Sequence, residues 1–205
     1  MGSLRYFDLS NYIFLYDISY IVETGTHLGD GVDYALNFNV EKVISFEIYE
    51  ELHAKCVERF KDNFKVELLC EDSSTGLEKL LDREDVKRKN CLFFLDAHFP
   101  GADAGISEYN TEKNADINLP LKRELMAIAK RKNNRDVIII DDLRLFEDCE
   151  GIKSVDQHFK DIGKSHLTKD QLVHFNLMEV VLEYFSDYDF SRVYGDEGYL
   201  ILTKK

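Results

Sequence analysis

The sequence predicts an α/β fold: a seven-stranded, mostly parallel sheet with helices on both faces and an antiparallel hairpin at its C-terminal end, in one domain over residues 1–205. Three observations predict it. Short apolar runs alternate with amphipathic stretches, the pattern of parallel strands joined by crossover helices. Two of those runs, CLFFLD and DVIIID, are apolar throughout, as strands covered on both faces are. The chain then closes with FSRVYGDEGYLILTKK, two extended stretches about a Gly/Asp/Glu turn with no helix between them, which makes an antiparallel pair.

Taken in order, residues 1–18 (MGSLRYFDLSNYIFLYDI) are rich in aromatic side chains, and packing on the sheet, lining a site or joining a dimer are all open. Strands are expected at 19–23, 43–47, 65–69, 91–96 and 136–141, and helices at 30–38, 49–62, 74–88, 119–132 and 168–186. Residues 99–118 (FPGADAGISEYNTEKNADIN) are polar and aperiodic and leave the C-terminal end of the fourth strand, where long loops usually cover a ligand; a disordered insertion is the alternative. The helix over 168–186 is apolar on more than one face, which suits the core or a homodimer interface.

The chain carries 26 basic and 39 acidic residues, a formal charge of −13. Phosphate backbones repel such a surface, which argues against general nucleic-acid binding. Its four cysteines (Cys56, Cys70, Cys91, Cys149) form no CxxC pair, as suits reduced thiols in a cytosol. No apolar run approaches the ~18 residues of a membrane span and no signal peptide opens the chain. A soluble cytoplasmic protein is expected.

Residues 20–31 read YIVETGTHLGDG and residues 43–48 read VISFEI. An apolar strand runs into an acid, a glycine-rich turn and a helix, and the next strand ends on Glu47. An α/β sheet holds an adenosine in this way: glycines admit the ligand to the backbone and the second acid accepts hydrogen bonds from the ribose hydroxyls. Gly25, Gly29 and Gly31 match the TGxxxGxG pattern of short-chain dehydrogenases, and Tyr109 to Lys113 (YNTEK) resembles their YxxxK pair. Against that NAD(P)-dependent reading stand Glu23 at the strand end, the position of YNTEK in an aperiodic loop, and the short chain.

The order acid, glycine turn, helix, strand, acid resembles the class I S-adenosylmethionine-dependent methyltransferases, whose fold is Rossmann-like, over roughly residues 19 to 203. The resemblance implies S-adenosyl-L-methionine as cofactor. It implies Glu23, Thr24, Gly25, Thr26 and Gly29 around the methionine part, Glu47 on the ribose, and Asp72 with Ser73 near the adenine. An Asp-Ser pair also reads as a helix N-cap.

Asp96, His98, Asp141 and Asp142 fall at the C-terminal ends of neighbouring strands (LFFLDAHF and VIIIDDL), where ligands bind in open α/β sheets. Three carboxylates gathered there repel unless something positive lies between them, and hard oxygen ligands favour Mg²⁺ or Ca²⁺. The bland alternative is that each Asp satisfies a turn and the His is structural. The pattern is similar to metal-dependent small-molecule O-methyltransferases of the catechol and macrolide-sugar kinds. That implies Asp96, Asp141 and Asp142 as metal ligands, with Mg²⁺ as the metal, and Asp96 and His98 as catalytic residues. His98 departs from the sugar-methylating pattern and reads as a ligand or as the general base. The string FLDAHFPGADAG with PLKRELMAI and VIIIDD resembles bacterial methyltransferase-like proteins linked to surface-glycan (polysaccharide) synthesis. The implied reaction is methyl transfer to a hydroxyl of a small acceptor, first of all a nucleotide-linked sugar. Arg144, Lys122 and Arg123 are candidates to hold an acceptor phosphate or carboxylate, or to form plain salt bridges. A catalytically inactive scaffold with the same fold is the non-enzymatic reading.

Overall fold

The computed structural model describes residues 3–102 and 104–205. Its elements are α1 Ser10–Tyr16, β1 Ile18–Thr24, α2 Asp30–Ala35, β2 Lys42–Glu47, α3 Glu50–Phe60, β3 Val66–Cys70, α4 Ser73–Asp82, β4 Asn90–Leu95, α5 Ala115–Asn118, α6 Leu121–Ile128, β5 Val137–Ile140, α7 Val155–Asp161, α8 Lys169–Leu172, α9 Leu177–Tyr184, β6 Tyr188–Val193 and β7 Tyr199–Lys204. The strands form one sheet in the order β3-β2-β1-β4-β5-β7-β6. The first five run parallel, with Val22 beside Ile44 on one side and Phe93 on the other, and β7 pairs antiparallel with both β5 and β6. The expected seven-stranded sheet and its terminal hairpin are both present.

Alternate residues of the central strands supply the two faces. Val22, Ile44, Phe93, Ile138 and Leu200 pack with Leu77 and Leu80 of α4, Leu125 and Ile128 of α6, and Val180 and Val181 of α9. Ile21, Val43, Leu92, Ile139 and Tyr199 pack with Val32 of α2, Cys56 and Phe60 of α3, and the N-terminal Leu4, Phe7 and Leu9. Both faces are therefore buried, which is why residues 91–95 of β4 and all of β5 are apolar, while β1 and β2 also carry the buried polar Glu23, Thr24, Ser45 and Glu47. The aromatic N-terminal segment packs on the sheet: Phe7 meets Tyr199 edge to face at 4.9 Å, and the Tyr199 hydroxyl accepts from the Ser3 backbone N–H.

Element boundaries differ from the sequence reading in places. The helix expected over 168–186 is two helices, α8 and α9, separated by 173–176. Asn176 is responsible: its side chain accepts from the backbone N–H groups of Met178 and Glu179 and starts α9 afresh. The two apolar faces read there belong to two differently placed pieces, and Leu172 packs with Phe99 and Phe159 while Val180 and Val181 face the sheet. The helices expected at 30–38, 74–88 and 119–132 end early, at Ala35, Asp82 and Ile128. Helices α1 and α7 were not expected; α7 begins at a Ser154 cap that accepts from Gln157 N–H. Among its described residues, segment 99–118 is irregular except for α5.

Among the described residues no helix is long and apolar enough to cross a membrane. All four cysteines are free, with Cys70 exposed.

Candidate functional site

The chain leaves β1 for β2 on one side and reaches β4 on the other, so the sheet order reverses beside β1. Ligands enter open α/β sheets at such a point, outside the carboxyl ends of the strands. A cleft with about 810 Å³ of empty space up to its open mouth lies there, lined by Gly25, Glu47, Asp72, Asp96, His98 and Glu197 among others. Phe46, Ile48 and Leu52 give one end an apolar wall; Phe99, Pro100, Gly101, Ala104 and Ile117 bring the 99–118 segment over it. An apolar lining with a few converging polar groups is the character of a small-molecule site.

The glycine turn splits into two roles. Gly25 lines the cleft at φ +85°, and a Cβ there would come within 2.8 Å of the Asp96 carbonyl oxygen. Only glycine allows β1 and β4 to approach so closely at this φ. Gly29 instead caps α2 and abuts the Phe60 ring, away from the cleft wall. Glu23 and Thr26 are also behind the wall. Ser45 Oγ donates to Glu23 Oε2 at 2.7 Å and lies 2.6 Å from Thr26 Oγ1. Burial pushes the Glu23 carboxyl up to about 8. Thr24 is fully buried, and its Oγ1 accepts from the N–H groups of Asp96 and Ala97. Of the five residues the resemblance placed on the methionine part, the structure puts Gly25 on the cleft and the other four in its support.

Glu47 ends β2 with its carboxylate on the cleft, accepting from His27 N–H and Tyr49 N–H at 2.9 Å each. Two backbone donors hold it in one orientation. Asp72 and Ser73 also line the cleft. The N-cap reading of this pair holds: Asp72 caps α4 by accepting from Ser74 N–H and Ser74 Oγ.

The acid cluster is divided by His98. Asp96 and His98 form the far wall of the cleft, while Asp141 and Asp142 are buried behind it. His98 Nε2 lies 2.7 Å from Asp142 Oδ2 and Nδ1 lies 3.5 Å from Asp96 Oδ1. Arg144 Nε donates to Asp142 Oδ1 at 3.0 Å, and its Nη2 pairs with Glu197. His98 and Arg144 together hold the Asp142 carboxyl down to about 2 against the cost of burial. Asp96 moves the other way, far above the usual carboxylate range, through burial and the charges of Asp141 and Asp142. Asp141 is pushed up to about 7 by burial and by Asp142. Asp141 Oδ2 is buried without a hydrogen-bond partner. Backbone strain concentrates here as well: Phe99 has φ +46° and Asp142 φ +53°.

This geometry does not suit the metal that the resemblance implied. Both Asp142 oxygens are taken by cationic or N–H donors. Among the described residues no group of three or more His, Cys, Asp and Glu side chains is disposed to hold a metal ion. The adenosine-cofactor assignment fits better: an apolar end, a glycine floor and a fixed carboxylate are what such a molecule requires.

Two site residues escaped sequence reasoning. Glu124 of α6 is buried beneath the cleft, its Oε1 accepting from Ser73 Oγ at 2.5 Å and its Oε2 without a hydrogen-bond partner. Burial raises its carboxyl to about 7. The available signal was an acid on the apolar stripe Leu121, Leu125, Ile128. Glu197 lies at the tip of the terminal hairpin, where a DEG turn reads as solvated, yet it lines the cleft. Conversely, Tyr109 and Lys113 are outside the cleft and off any helix. Tyr109 stacks edgewise on Phe99 and Phe159, and Lys113 Nζ donates to the Asn110 carbonyl. The dehydrogenase pair is not assembled. Arg144 and Arg123 make salt bridges, Arg123 to Asp116 at 4.0 Å, and no Lys or Arg among the described residues lines the cleft.

No family model and no curated protein matches this sequence. Solved structures do. The S-adenosylhomocysteine-bound methyltransferase PaMTH1 of Podospora anserina is 14% identical with a TM-score of 0.58, over 95% of this chain and 75% of that one. A protein assigned as a caffeoyl-CoA O-methyltransferase from Staphylococcus aureus is 13% identical with a TM-score of 0.59, over 100% and 85%. Spermidine synthase of Thermotoga maritima is 15% identical with a TM-score of 0.52, over 94% and 56%. The fold is that of the S-adenosylmethionine-dependent methyltransferases. At this identity the likeness is one of fold, and the reaction has to be argued from the cleft.

Proposed function

We propose that this chain is an S-adenosylmethionine-dependent methyltransferase acting on a hydroxyl of a small, sugar-like acceptor. The observation that supports the reading is a single cleft lined by Gly25, Glu47, Asp72 and His98, with Asp142 against His98 Nε2. Glu47 would bind the ribose and Asp72 the adenine edge. The cofactor supplies a sulfonium methyl whose carbon–sulfur bond breaks as the acceptor oxygen bonds the carbon, its electron pair passing to sulfur. The residues of this chain contribute position and a proton acceptor. With Nε2 donating to Asp142, Nδ1 of His98 carries the lone pair and takes the hydroxyl proton. The 99–118 segment excludes water from the acceptor end.

A nucleotide-linked sugar fits this reading with its phosphates outside the cleft, since no basic side chain among the described lining residues would meet them. Calorimetric titration with S-adenosylhomocysteine, run beside NADP, tests the proposal. Binding of the first alone supports it and justifies a screen of hydroxyl acceptors. Binding of NADP alone overturns it, and binding of neither favours the inactive scaffold.

A further inference from the structure

The strand-end carboxyls invite a cation, yet the site already contains one, provided by the protein. Arg144 leaves the 3₁₀ turn Leu143–Leu145 just after β5, and its side chain is only 11% exposed. Its Nε donates to Asp142 Oδ1 at 3.0 Å, and its Nη2 reaches Glu197 in the cleft wall. The main chain fixes the same junction: Leu143 N–H donates to the Gly198 carbonyl at 2.9 Å and Arg144 N–H to the Glu197 carbonyl at 3.3 Å. The terminal hairpin thus holds the guanidinium against the carboxyls of both Asp142 and Glu197.

We propose that Arg144 fills the place of a divalent cation at this site, so that the methyl transfer proposed above is metal-independent. The proposal rests on that functional reading for its chemistry, but its geometry stands alone. A metal bound through Asp142 would have to compete with Arg144 at Oδ1 and with His98 at Oδ2. It would also lie close to the guanidinium, which is only 11% exposed, and like charges repel strongly where solvent screening is poor. A guanidinium cannot shed its proton to relieve this. Its planar fork also matches two carboxylates at once, which a hydrated cation matches only after losing water. The arrangement retains what a metal offers the acids, neutralisation, and leaves His98 facing the acceptor.

The test titrates Mn²⁺, as an observable surrogate for Mg²⁺, into the S-adenosylhomocysteine-saturated protein and follows the free-ion resonance. The wild type is expected to leave Mn²⁺ free up to about 1 mM, the weak end of protein sites for hard cations. Arg144→Met, which takes the guanidinium away from Asp142 and Glu197, is expected to gain a Mn²⁺ site in the range of ~0.1–1 mM. Arg144→Lys, which keeps the charge, gains none. A merely structural arginine would not produce that contrast between methionine and lysine. Mn²⁺ binding to the wild type that Asp142→Asn abolishes would overturn the proposal. If Arg144→Met fails to fold, the wild-type titration still decides. Failure of S-adenosylhomocysteine to bind would sink the methyltransferase reading instead, and the Mn²⁺ titration of the unliganded protein would still judge Arg144.

Discussion

His98 Nε2 and Asp142 Oδ2 are 2.7 Å apart, with Asp142 sealed behind the ring and Arg144 on its other oxygen. One residue therefore does two things for the imidazole. In the proposed mechanism it selects the tautomer, by accepting from Nε2, and stabilises the ring once protonated.

Asp142→Asn removes the second effect and blurs the first, since an amide can present either N–H or C=O. Methyl transfer to the acceptor found by screening is expected to fall by ~10²-fold or more, with S-adenosylhomocysteine affinity essentially unchanged. A variant that transfers at the wild-type rate would remove His98 from the proposed chemistry.

Glu47→Gln should separate binding from chemistry. The carboxylate is held by His27 N–H and Tyr49 N–H and faces the cleft. Losing a charge-assisted bond to a ribose hydroxyl costs about 1.5–3 kcal/mol, or roughly 10–100-fold in affinity. Calorimetry with S-adenosylhomocysteine reads this directly, and an unaltered dissociation constant would refute the ribose assignment.

Gly31→Ala in an open helix would stabilise the fold, because alanine is the better helix former. Here the added Cβ falls 1.8 Å from Glu23 Oε1. Overpacking of about 1–3 kcal/mol is expected in urea denaturation. The double variant Gly31→Ala/Glu23→Ala should be less destabilised than the sum of the two single changes, and strict additivity would mean the two residues do not meet.

Stability should decline from mildly acid to mildly alkaline pH. Burial raises Glu23 to about 8 and Glu124 to about 7, both from 4.5 in the unfolded chain. Each holds a proton when folded that the unfolded chain releases, so its stabilisation is complete below pH 4.5 and is lost as pH rises through the folded value. One such group gives a slope of up to about 1.4 kcal/mol per pH unit. Asp142, held down to about 2, acts in the opposite sense but only below 3.8, outside this window. Thermal midpoints between pH 5 and pH 8 should fall, and Glu23→Gln should flatten the decline. A wild-type midpoint that rises over that interval would contradict the burial of these acids.

The sheet was legible in the sequence because parallel strands buried on both faces are predominantly apolar, as residues 91–95 and 137–140 are. The terminal hairpin was legible because no helix separates its strands. The break at Asn176 was not, since a capping side chain within an apolar stretch looks like one polar residue on a helix. Lining residues were recognised where they end strands, as with Glu47 and Asp96. They were missed where they come from a turn that reads as solvated, as with Glu197 at the tip of the terminal hairpin.

By itself, the sequence determined the fold class, the strand order's raw material and the chemical kinds of residue gathered at one end of the sheet, because periodicity and turn chemistry are local. Only the tertiary structure decided what those residues do to one another. Glu23 and Gly29 support the cleft and Gly25 floors it, a distinction of a few ångströms that no spacing encodes. Asp142 meets His98 and Arg144 rather than an open position, because the hairpin brings Glu197 from more than fifty residues away to hold the guanidinium in place. Charges that look merely crowded along the chain become paired once folding sets their distances and removes the water between them.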